Sequence, residues 1–93
     1  MVVGLLSIEL HLPAARSLKE KRMVVQGVKG RLRKFNVAVA EVDYQDLWQR
    51  AALGVVTVSH SRTQVDRELA AVVDEIERYE PGLIARTQVE FLA

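Results

Sequence analysis

Cysteine is absent from this chain, which excludes disulfides and thiolate metal sites and leaves packing alone to hold the core, as expected in a reducing compartment. The two histidines, His11 and His60, are far apart in sequence. Ser59-His60-Ser61 lies at a strand-to-helix junction where serines serve as caps, so neither a hydrolytic nor a metal site is expected. No run approaches the roughly 20 apolar residues that span a bilayer. The start, MVVGLLSIELHL, lacks a basic flank and a small-residue cleavage site and is interrupted by Glu9 and His11, so it reads as a strand and not as a signal peptide. These absences point to a cytoplasmic protein with no membrane, metal or cofactor among its partners. Net charge is also small, at +1, and 93 residues make one domain, 1–93, able to bury about 60% of its unfolded surface.

Hydrophobic periodicity supplies the elements. Over residues 2 to 12, Ser7, Glu9 and His11 alternate with Leu6, Ile8, Leu10 and Leu12, the pattern of a half-buried strand ended by Pro13. Ser17-Leu18-Lys19-Glu20 has the form of a capping box, and Leu18, Val25, Val28, Leu32 and Phe35 recur at helical spacing, predicting a helix to about residue 34 or 35. Val37 to Val42 and Ala51 to Ser59 read as strands flanking a polar turn at 43–50. Ser61 caps a second helix with the stripe Val65, Leu69, Val72, Ile76 and Tyr79, Glu80-Pro81-Gly82 ends it, and Ile84 to Leu92 is a last strand. This βαββαβ order, with right-handed crossovers, is that of an α+β ferredoxin-like sandwich: a four-stranded antiparallel sheet with two helices on one face. The turns at 13–17, 43–50 and 80–83 then share one end.

What is present in excess is local positive charge: Arg16, Lys19, Lys21, Arg22, Lys29, Arg31, Arg33 and Lys34 crowd the first helix. At about 100° per residue, Lys19, Arg22, Gln26, Lys29 and Arg33 share one arc, flanked by Lys34 and opposite the apolar stripe. A localised positive face attracts polyanions whatever the net charge. The alternative is an ordinary solvated face neutralised by the second helix, which carries Asp66, Glu68, Asp74, Glu75, Glu77 and Glu80 against Arg62, Arg67 and Arg78. Gly27 and Gly30 interrupt the helix at roughly 1 kcal/mol each relative to Ala. Gly30 lies almost opposite the apolar stripe, where a missing side chain would let a phosphate backbone approach, unless it is tolerated drift. Lys21 projects into the apolar arc, either reaching along it to the sheet edge or helping hold an anion at the helix start.

The turn at 43–50 holds Tyr44 and the sole tryptophan, Trp48, beside Gln45, Gln49 and Arg50. Such a set can stack a base and read its edge, or the indole can fold down to cap the core. The sheet itself does not resemble an RNA-recognition motif, since its outer positions are read as Leu5, Ser7, Glu9 and His11 on the first strand and Val55, Thr57 and Ser59 on the third, with no aromatics. Val3, Leu5 and Val55 would instead make an apolar patch suited to dimerisation. Glu41, Asp43 and Asp46 read as solvated turn residues.

Two resemblances follow from motifs. Val25-Gln26-Gly27-Val28-Lys29-Gly30-Arg31 resembles the anion-cradling loop of acylphosphatases, but the capping box starts the helix about two turns earlier, so these residues are expected to be helical. Ser17-Leu18-Lys19-Glu20-Lys21-Arg22, Phe35-Asn36-Val37, Glu41-Val42-Asp43-Tyr44-Gln45-Asp46 and Trp48-Gln49-Arg50-Ala51 together resemble the YlxP-like family of small bacterial proteins of unknown function, in order and over nearly the whole chain. That resemblance implies a ferredoxin-like fold, a bacterial cytosolic setting and genes near those of translation initiation and ribosome maturation, and it implies no known reaction. The expectation is a non-enzymatic RNA-binding or ribosome-associated module, with Lys19, Arg22, Lys29, Arg33 and Lys34 on phosphates and Tyr44, Trp48, Gln49 and Arg50 as secondary contacts. A protein-interaction or homodimerisation module using the outer sheet face is the alternative, and an acylphosphatase-like hydrolase a minor one.

Overall fold

Alternating side chains place β1, Val2–His11, at the heart of the sheet: Leu6, Ile8 and Leu10 are buried on one face while Ser7 and His11 remain exposed on the other. The computed structural model describes residues 1–93, with α1 at Leu18–Arg31, β2 at Ala38–Asp43, β3 at Arg50–Ser59, α2 at Arg62–Tyr79 and β4 at Ile84–Phe91. The sheet order is β2-β3-β1-β4 and every pairing is antiparallel. This is the expected ferredoxin-like arrangement, with β2 and β4 as the two edges. The core joins Leu6, Ile8, Leu10, Leu53 and Val55 of the sheet to Val25 and Val28 of α1 and Val65, Leu69, Val72 and Ile76 of α2.

Both helices begin as their sequences dictate. Ser17 accepts the Glu20 amide at 3.1 Å, while the Glu20 carboxylate reaches back to the Arg16 amide at 2.9 Å; Ser61 accepts the Gln64 amide at 3.1 Å. These bonds satisfy amides that have no partner within the helix. The far end of the first helix differs from expectation: α-helical geometry stops at Arg31 and a 3₁₀ turn, Leu32–Lys34, delivers Phe35 into extended backbone. The cause lies in Asn36, whose amide donates to Glu68 at 2.8 Å, whose side chain donates to the Val58 carbonyl at 3.0 Å and whose carbonyl accepts the Thr57 hydroxyl at 2.6 Å. Two tertiary bonds to β3 and one to α2 draw the chain away before the helix can continue.

The phase of β3 also differs. Ala51, Leu53, Val55 and Thr57 face the core, not the outer surface. Register explains it, since Val55 stands opposite Leu6 and opposite residues share a face. A strand apolar on both faces carries no polarity signal of its own, so the outer patch consists of Val3, Leu5, Val56 and Val58 with Val42, and Val55 is not part of it. The shared end is as expected: Leu12 donates its amide to the Gln49 carbonyl and His11 to that of Leu83.

The two helix glycines have different reasons. A Cβ on Gly27 would lie 2.8 Å from Tyr79 Cζ, so this glycine is required for α1 to approach α2, whereas a Cβ on Gly30 would meet nothing within 4 Å. Gly27→Ala should therefore lower stability by about 1–3 kcal/mol as Tyr79 is displaced, while Gly30→Ala should raise it by roughly 0.5–1 kcal/mol through helix propensity and reduced chain entropy. Paired urea denaturation curves measure both, and equal effects at the two positions would contradict this assignment.

Candidate nucleic-acid interface

Basic residues of α1 divide into two sets, and Glu75 makes the division. Although it belongs to the acidic helix, Glu75 is buried at the α1–α2 junction, where its carboxylate takes Lys34 at 2.9 Å, Arg78 at 3.2 Å and Arg31 at 3.8 Å. Hydrogen bonds from Lys34 and then Arg78 hold its carboxyl below the ordinary glutamate range against the opposing effect of desolvation. Arg31 also lies over the Tyr79 ring, 4.9 Å from its centroid. Neutralisation by the second helix is thus real for Arg31 and Lys34. It goes no further: Lys19, Arg22, Lys29 and Arg33 have no carboxylate within 4 Å. Of the other acids on α2, Glu68 is taken by the Asn36 amide.

Of these unpaired cations, Lys29 and Arg33 flank the β2 edge, and helical spacing sets Lys19 and Arg22 on the same arc. Gln26, Lys29 and Arg33 form one wall of a groove of about 310 Å³ whose other wall is Val37 and Val39, with Leu32 between them. Gly30 opens the helix surface beside this groove.

Lys21 connects that helix to the aromatic turn. Its side chain is 1% exposed, and its ammonium meets Glu41 Oε2 at 2.9 Å, the Tyr44 carbonyl and the Gln45 carbonyl at 3.4 Å. Glu41 Oε2 has no partner other than this ammonium. Lys21 does reach the sheet edge, but its charge ends buried and paired; it is committed to Glu41 and two carbonyls, and not to an anion at the helix start. Glu41 is correspondingly a half-buried strand residue and not a solvated turn residue. Asp43 accepts the Tyr44 amide at 2.8 Å, and no group of three or more His, Asp or Glu gathers as a metal site would require.

Beyond the latch, the turn carries Tyr44 in left-handed backbone at φ 61, a conformation costly for a bulky residue. Arg50 lies 4.1 Å from its ring centroid, donates to its hydroxyl at 3.0 Å and meets Glu9 at 3.4 Å, so one face of Tyr44 is occupied. Trp48 is 51% exposed and outside the core. It lines an open cleft of about 790 Å³ with Glu9, His11, Asp46, Gln49 and Arg50. Gln49 is fixed by its donation to the Pro13 carbonyl at 3.3 Å. The expected residues therefore occupy two places, a basic flank along β2 and an aromatic cleft at the end of the sheet, with Lys21 joining the helix of one to the turn of the other. Glu9, His11 and Asp46 enter the cleft without having been expected there, because only strand order and the path of the turn bring them to Trp48.

A four-stranded βαββαβ sheet with two helices on one face, whose distinguishing features are a charged first helix and a loop latched to it, is a ferredoxin-like domain. The chain belongs to the family described as "Protein of unknown function (DUF503)", whose model matches residues 3–89. It is 40% identical over 79 residues to the uncharacterized protein YlxP of Bacillus subtilis (strain 168), covering 84% of this chain and 86% of that protein. Two solved structures share the fold alone. The de novo designed protein Foldit4 has a TM-score of 0.55 at 10% identity over 99% of this chain and 96% of its own, and At3g17210 from Arabidopsis thaliana has 0.55 at 13% over 100% and 94%. The family description names no reaction. Residues Val25–Arg31 lie within α1, so their backbone amides serve the helix and form no anion-cradling loop. No helix is long and apolar enough to cross a membrane.

Two outcomes follow from the ion pairs. Lys21→Met leaves Glu41 facing an apolar side chain and should destabilise the fold by about 3 kcal/mol, much of it recovered in Lys21→Met/Glu41→Leu, as urea denaturation would show; additive losses in the double variant would exclude the latch. Because the native pKa of Glu75 is lowered, its contribution is present above the unfolded value and lost as pH falls through the native one. Glu75→Gln should thus melt well below the wild type at pH 7, with the gap closing below the ordinary glutamate value of about 4.3. A gap that widens on acidification would reverse the assigned sign.

Proposed function

We propose that this protein is a non-enzymatic, cytosolic RNA-binding or ribosome-associated module that meets the phosphate backbone with Lys19, Arg22, Lys29 and Arg33. The observation that carries this reading is that these four cations remain unpaired while Glu75 neutralises their neighbours Arg31 and Lys34. Unpaired lysine and arginine release counterions when they meet phosphates, which is the main sequence-independent source of affinity for nucleic acid. Lys34 is a weaker contributor because it must leave Glu75 to engage a phosphate. Gly30, with open space above it, permits a close approach beside Lys29 and Arg33.

Trp48 and Gln49 supply secondary contacts, with an exposed indole available to stack an unpaired base. Tyr44 and Arg50 act chiefly on each other and support that cleft. The second reading, a protein-interaction module, draws on the outer sheet face, where Val42 and Val58 are exposed beside Leu5.

Four phosphate contacts give roughly a hundredfold loss of affinity for structured RNA between about 50 and 200 mM salt, from a slope near −0.9 per contact. Arg22→Glu/Lys29→Glu/Arg33→Glu should abolish binding in a fluorescence-anisotropy titration while preserving the circular dichroism spectrum. Unchanged affinity would refute the basic-face assignment; a salt-independent affinity abolished by Val58→Lys would favour the protein-interaction reading.

A further inference from the structure

The two edges of the sheet are not equally protected. β2 is six residues long, broken in register between Glu41 and Asp43, and held by the Lys21 latch. β4 runs eight residues, its only irregularity confined to the end near Leu10. Proteins ordinarily blunt such an edge by bulging, shortening or covering it. Here the middle of the strand lacks such a cover: α2 packs over β1 and β3 and reaches β4 at its end, where Arg62 lies 3.8 Å from the Phe91 ring centroid. Val89, which shares a face with buried Leu6 and Val55, is 46% exposed, and Leu92 beyond it is 57% exposed.

Backbone geometry shows which groups point off this edge. His11 donates to Leu83, and Val3 accepts from Leu92, so alternate residues of β1 from Val3 to His11 turn their backbones toward β4. Their partners Arg86, Gln88 and Glu90 are bonded inward. Thr87 and Val89 therefore direct their N–H and C=O groups outward from the edge.

We infer that β4 is a homodimerisation edge, pairing antiparallel with β4 of a second copy about a two-fold axis at Gln88 and joining two four-stranded sheets into one of eight. Charge selects this register. With Gln88 opposite its counterpart, Arg86 stands opposite Glu90 of the second copy and Glu90 opposite Arg86, while Thr87 and Val89 exchange backbone bonds across the axis. Centring on Thr87 puts Arg86 opposite Gln88, centring on Val89 puts it opposite Leu92, and centring on Arg86 or Glu90 sets like charges face to face. Only the Gln88 register satisfies both charges, and the interface is isologous as a closed dimer requires. The uncovered Val89 side chains then meet beneath the paired strands. Each α1 lies toward the β2 side of its own sheet, so the two basic flanks stay free at opposite ends of the dimer.

Sedimentation of the full chain from low micromolar to near-millimolar concentration should show a monomer becoming a dimer. Glu90→Arg, which faces Leu5 within its own chain, should weaken association about tenfold by turning two attractive pairs repulsive. Arg86→Glu/Glu90→Arg should restore it. Thr87→Pro should abolish the dimer while leaving the dilute monomer's melting unchanged, because that amide bonds nothing within the chain. A monomer throughout the concentration range would overturn the inference. So would a dimer indifferent to Glu90→Arg, or one lost only on Leu5→Lys, which would place the contact on the outer sheet face.

Discussion

A single buried ammonium ties this structure together. Lys21 lies on the apolar side of α1, where a charge is tolerable only if fully partnered, and its partners are Glu41 on the edge strand and the carbonyls of Tyr44 and Gln45. One side chain thereby sets how close α1 lies to β2, how the β2–β3 connection folds and where Trp48 is presented. The left-handed Tyr44 is intelligible in the same terms: its carbonyl, turned toward Lys21, also accepts the Leu47 amide. Strain at one residue is held by a charge-assisted bond from another element.

Glu75 performs the complementary task between the helices. A lone carboxylate buried against three cations is stabilised in its charged form, and it pairs with Arg31 and Lys34 although both side chains stay exposed. What remains unpaired is a smaller set of cations than the first helix's composition suggests. Gly27 reinforces this arrangement by allowing Tyr79 to reach the α1 backbone, which brings Glu75 within range of the basic residues.

Most of the architecture is legible in the sequence because periodicity and caps are local. Ser17 with Glu20, Ser61 and the Leu6-Ile8-Leu10 alternation each identify an element without reference to any other. The misread features depend on partners distant in sequence. The facing of β3 rests on Leu6 lying opposite Val55, the early end of α1 on Glu68 and Thr57 capturing Asn36, and the role of Glu75 on the helices' mutual approach. Helical projection sets Lys19, Arg22, Lys29 and Arg33 on one arc flanked by Lys34, but it cannot distinguish an unpaired cation from a paired one, so the pairing of Lys34 with Glu75 is not legible in sequence. Lys21 is detectable as an anomaly, a charge in an apolar arc, although its partners are not.

Segregation of charge also gives the molecule an electrical orientation. With Glu75 satisfied internally, the unpaired cations of α1 lie toward the β2 edge, while Asp66, Asp74 and Glu80 remain exposed on and beside α2. A chain of net charge +1 then behaves at close range as a dipole more than as a monopole. Its attraction to a distant polyanion would be weak, but the field of a nearby one would exert a torque that turns the α1 flank inward and α2 away. Within about a Debye length of 8–10 Å, encounter is therefore selective in orientation before any contact forms.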